Sequence, residues 1–169
     1  MVEFALCALP FFGMFLGIAD VAFAVFLKNM LQSAVRDGVR FGVTYGLNYN
    51  SSGCSTQTAC VKLVVSNNAL GFLNGTNASL IQVNYYSPDN LTTPLTTADV
   101  GPGKFLANGE ELLYVNQKGN LMEVSVVDFP WNWMVPLPKT WPGAGIKMTQ
   151  HASDILQGYP VGTNSPPPY

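Results

Sequence analysis

Few side chains in this chain could do chemistry, and their spacing supports little of it. His151 is the only histidine, and the sequence assigns no Ser or Cys nucleophile to it, so it reads as a surface or structural residue. Gly101-Pro102-Gly103-Lys104 has the outline of a phosphate loop. It lacks the GxxxxGK[ST] spacing, however, and Phe105 stands where Ser or Thr would bind magnesium. Glu110 and Glu111 are adjacent, so on a strand they point to opposite faces and form no acid–base pair. Trp131, Trp133 and Trp141 could stack on a sugar, although a loop packing its aromatics over a sheet edge is the plainer reading. No catalytic constellation and no cofactor site follow, and the chain reads as a non-enzyme.

Cys54 and Cys60 enclose "STQTA". That spacing is wrong for a redox CxxC, and a zinc site needs more ligands than one histidine can complete. A disulfide is the preferred reading and places this region in an oxidising compartment; two free thiols in a cytosolic loop are the alternative. Four Asn-x-Ser/Thr sites, at Asn50, Asn74, Asn77 and Asn90, fall in expected loops or turns. They are candidate glycosylation sites only in a host with that machinery.

Two carboxylates sit where they are least expected. Val2 to Phe26 is almost purely apolar, yet it holds Glu3 at its start and Asp20 near its end. As a helix at about 1.5 Å per residue the segment is about 37 Å long, enough to cross a hydrocarbon core of about 30 Å. It is a poor cleaved signal, because Glu3 replaces a basic start and Asp20 interrupts the run. Lys28, Arg36 and Arg40 all follow it, so the positive-inside rule alone puts the rest of the chain in the cytoplasm. That conflicts with a disulfide, and a basic leader carried by the precursor would resolve the conflict.

The helix is expected to continue past Phe26 to about residue 46. Leu27, Met30, Leu31, Ala34 and Val35 recur at helical spacing with polar residues between them. Pro10 removes one backbone bond and is a candidate kink. Gly13 and Gly17 form a GxxxG pair suited to close approach of another helix. Ala34, Gly38, Gly42 and Gly46 form a second small-residue stripe, better placed to seat the helix on its own head.

Downstream, "ACVKLVVSNNALGFL" predicts a second helix, "SLIQVNYY" a strand, "EELLYVNQKGNLMEVSVVDF" a hairpin turning at Lys118 to Asn120, and "IKMTQHAS" a last strand. The expected fold is α+β, a long N-terminal helix followed by a small antiparallel sheet. Its parts are a helix over 1–46 (apolar over 2–26, amphipathic over 27–46), a head over 47–157 and a Pro-rich tail over 158–169. Bulk properties agree. Apolar residues make up 48% and charged residues 11% of the 169, against about 25% charged in an ordinary soluble domain. A net charge of −2 gives no general attraction to nucleic acid.

Val2 to Leu6 (V-E-F-A-L), Leu9-Pro10, Gly17 to Asp20 (G-I-A-D) and Ala34 to Arg40 (A-V-R-D-G-V-R) together resemble the TadE-like pilin family of the tight-adherence pilus system. The signature covers about the first quarter of the chain. "ACVKLVV" and "VSVVDFPW" are weaker matches further on. The resemblance implies a precursor with a short basic leader removed by a prepilin peptidase. The subunit then waits in the inner membrane, head outward, until the pilus assembly machinery extracts it into a homo-oligomeric helical filament on the cell surface. In such pilins the glutamate is usually fifth after cleavage. Here it is Glu3, so either the chain start is not the processed terminus or processing differs. The implied role of Glu3 is to meet the α-amino group of a neighbouring subunit. For Asp20 the expectation is a neighbouring chain's Lys28 or Arg36, with a protonated, hydrogen-bonded Asp20 as the alternative. A minor pseudopilin, or a membrane-anchored glycan-binding or adhesion module that forms no filament, is the rival to a filament subunit.

Overall fold

Leu27, Leu31, Ala34, Val35, Val39 and Val43 lie on one stripe of a helix, and that stripe is buried. The structure is a computed structural model that describes residues 2–46, 48–49, 52–133, 145–159 and 166–168. Helix α1 spans Val2–Val43 and runs unbroken through Pro10. It ends three residues short of the expected 46 because Tyr45 adopts a left-handed backbone (φ 54°), which no helix can continue. Burial of the Tyr45 ring and a bond from its hydroxyl to the Asn116 carbonyl, 3.0 Å, hold that turn.

Two short strands, β1 (Asn48–Tyr49) and β2 (Ser52–Gly53), pair antiparallel and lead into helix α2, Gln57–Asn68. Thr56 caps α2 by accepting from the Ala59 N–H at 3.2 Å. A disulfide joins Cys54 to Cys60 across this start, with Cα atoms 5.3 Å apart. Beyond a 3₁₀ turn, Gly75–Leu80, comes a three-stranded antiparallel sheet in the order β3 (Ile81–Tyr86), β4 (Leu121–Trp131), β5 (Ile146–Ile155). The α+β class is therefore as the sequence predicts.

The hairpin is not. Residues 110–120 form no strand of this sheet; β4 is its centre, paired with β3 on one side and β5 on the other. Amide side chains explain the difference. Gln117 accepts from the Leu113 N–H at 2.8 Å and donates to the Glu111 carbonyl at 2.9 Å, while Asn120 donates to the Val115 carbonyl at 2.9 Å. These local bonds offer the backbone a turn in place of a ladder.

α1 lies against β4 and β5, and α2 against α1 and β3. A Cβ added at Gly38 would collide with Val65, and one at Gly42 with Met122 and Val61. The second small-residue stripe thus lets α2 and the sheet approach α1 closely. A buried polar relay ties the far end of α1 to the rest. Gln57, fully buried, donates to the Gly42 carbonyl at 2.7 Å and accepts from Asn116 Nδ2 at 2.6 Å. Asn116 also donates to the Pro167 carbonyl at 2.8 Å, and the Gln57 N–H donates to the Pro168 carbonyl at 2.6 Å. The Pro-rich end of the chain therefore closes over the start of α2. Each of these amides would cost about 1–3 kcal/mol if left unpaired.

Candidate functional site

The first half of α1 carries the unusual surface. Phe11, Phe12, Met14, Phe15, Leu16, Ile18, Val21, Val25 and Phe26 are all exposed, Phe11 at 68% and Met14 at 72%. Soluble surfaces rarely show a contiguous apolar patch of this kind unless something covers it. The helix is long and apolar enough to cross a membrane by length and composition. Gly13 and Gly17 have nothing within 4 Å of an added Cβ, so this first small-residue pair faces open space. Pro10 is exposed. Glu3 lies in the first turn of α1, its side chain outside the described atoms.

Asp20 departs from its surroundings. Its relative exposure is 1%, while Val21 one position on is 53% exposed. Its own chain encloses it, so pairing with a neighbouring chain's Lys28 or Arg36 would require that cover to move. Lys28 is exposed two turns further along α1.

Beside Asp20 the helix meets the head through aromatics. Phe23 packs on Trp131 with ring centroids 5.3 Å apart and on Phe72 at 6.3 Å. Trp131 is only 7% exposed, so it is a core residue and cannot offer its face to a sugar. Trp133 is half-buried, and Trp141 lies outside the described residues. The glycan-stacking expectation therefore loses its first member to packing.

Along the other half of α1, a groove of about 710 Å³ opens between the helix and β5. It brings together Arg36, Arg40 and His151, with Asp154 on the same wall. These are the only two arginines and the only histidine of the chain. Sequence reasoning missed this gathering. Arg36 and Arg40 are visibly one turn apart, but nothing local shows that His151 on β5 faces them.

Asn74 accepts from the Ser66 hydroxyl at 2.7 Å, and Asn77 donates to the Phe72 carbonyl at 3.0 Å. Asn90 is exposed and accepts from both the Thr92 N–H, 3.0 Å, and its hydroxyl, 2.7 Å. Asn50 lies outside the described residues. Among the described residues, no three of His, Cys, Asp and Glu gather as metal ligands.

With that geometry in view, comparison with known proteins is informative for the helix alone. Residues 1–40 match the family model described as TadE-like protein. No curated protein and no solved structure matches the chain.

Proposed function

We propose that this chain is a structural subunit of an extracellular pilus-like filament, held in the inner membrane by α1 before the assembly machinery draws it out. The observation that carries the reading is the bare apolar half of α1, which coincides with the TadE-like match. That face needs a cover of lipid first and of equivalent helices afterwards. Burial of apolar surface at about 25 cal/mol per Å² drives the second step, and a head-to-tail contact that does not close builds a helix of subunits.

The remaining parts take roles within this reading. Residues 1–46 are the assembly element, 47–157 the exposed head and 158–169 the tail, whose Pro167 and Pro168 carbonyls tie it to the head. Glu3 sets register by meeting a neighbour's α-amino group, and Gly13 and Gly17 admit a neighbouring helix. The Cys54–Cys60 bond suits a head outside the cytoplasm. The test is to delete residues 2–26 from the encoded chain and image the cell surface by electron microscopy. Loss of filaments is expected, and filaments of normal diameter from the shortened chain would overturn the proposal.

A further inference from the structure

We infer that a cleft at the junction of α1 and the head binds an anionic phospholipid, seating the head on the membrane surface. This rests on the membrane stage of the reading above. The cleft has a volume of about 400 Å³, within the usual range of ligand sites. Val21, Ala24 and Val25 of α1 form one wall, and Ile146 and Met148 of β5 form the other. Val21 and Val25 belong to the exposed apolar face, so the cleft continues the surface that faces lipid.

Along the α1 wall of the cleft the chemistry changes in the order a bilayer surface demands. Apolar Val21 and Val25 come first. Trp133, half-buried, lines the same cleft, and an indole favours the boundary between hydrocarbon and headgroup. Lys28, one turn beyond Val25 and exposed, lies at the top. Its methylenes can follow the apolar wall while its ammonium reaches a phosphate. Lys147 is a second rim cation, but it already pairs with Asp128 at 3.1 Å, so Lys28 contributes more.

Helix length is compatible with this placement. A hydrocarbon core needs about 20 helical residues. Counted back from Val25 they reach Leu6, which puts the cleft at one membrane surface and the Glu3 position beyond the other. A second copy's helix is the rival occupant. Lys28 favours phosphate over another apolar helix, which would leave its ammonium against hydrocarbon.

The test uses the full-length chain purified in detergent and reconstituted in vesicles of phosphatidylcholine alone or mixed with phosphatidylglycerol. Native mass spectrometry is expected to show retained phosphatidylglycerol in preference to phosphatidylcholine. Lys28→Gln should reduce that retention roughly five-fold, and Lys104→Gln, on a distant loop, should leave it unchanged. Lipids brominated near the headgroup should quench a tryptophan signal that Trp133→Phe removes. Equal retention of both lipids, or no effect of Lys28→Gln, overturns the inference. So does protection of Trp133 from the brominated lipid together with a cross-link from Lys28 to a second copy. Failure of the chain to enter vesicles at all would instead bring down the membrane stage itself.

Discussion

The two halves of α1 are one continuous helix, and they meet opposite fates. From Phe11 to Phe26 the large apolar side chains mostly face outward, whereas Leu27, Leu31, Val35, Val39 and Val43 are buried. The backbone does not explain the difference; the distribution of apolar side chains around the helix does. The second half alternates apolar and polar positions and leaves room for α2 at Gly38 and Gly42. The first half is apolar nearly all round, so the head can cover only one side of it, where Asp20 and Phe23 lie. An amphipathic face folds onto its own chain, and an all-round apolar surface needs cover from outside.

The strongest way to break this comparison is matched truncation. Leu31→Ala should destabilise the head by about 2–5 kcal/mol, as core leucine deletions do. Leu16→Ala should stay within about 0.5 kcal/mol. Thermal unfolding in detergent reads both, and equal losses would mean that the two halves are not distinct. Gln57→Leu comes next, with a loss of about 1–3 kcal/mol, because it strands the Gly42 carbonyl and the Asn116 amide. The same measurement checks it.

A smaller contrast separates the glycine stripes. Gly38→Ala should cost about 1 kcal/mol net. Its collision with Val65, of the kind that costs about 1–3 kcal/mol, outweighs a gain of about 1 kcal/mol in helix propensity. Gly13→Ala, with open space around it, should keep the propensity gain without loss. If both substitutions stabilise, the close approach at Gly38 is not a constraint.

The mildest test is alkaline. Burial pushes the Tyr85 phenol up to about 12, and burial first, then Tyr159 and Tyr85 nearby, pushes Tyr45 above the ordinary range. Both groups are neutral when protonated, and folding raises their pKa. The stability they contribute is therefore complete below about pH 10 and is lost as pH rises towards 12. The share of phenolate absorbance that Tyr45→Phe and Tyr85→Phe remove should appear together with loss of head structure, and Tyr85→Phe should weaken the dependence. A flat profile through pH 11 would place both rings in water.

Much of the fold was legible because it rests on local periodicity. α1, α2, β3 and β5 each follow from spacing that the chain displays. Strand pairing was less legible. "EELLYVNQ" alternates enough to pass for a strand, and only the packed structure shows Gln117 and Asn120 turning the backbone instead. The apolar half of α1 was readable from composition. Burial of Asp20 and Trp131, and the meeting of Arg36 and Arg40 with His151, were not, because each depends on residues more than 100 positions apart or on the helix–head contact.

The Gln57 relay has a mechanical consequence. In the proposed extraction the subunit would be pulled along α1, and the load would have to leave the helix somewhere. At its far end the Gly42 carbonyl is gripped by Gln57, which is itself held by Asn116 and lies beside the backbone bond to Pro168. Traction on the helix thus passes at once into α2, the 110–120 turn and the tail. In the proposed extraction, the head would travel with its anchor as a single piece of cargo.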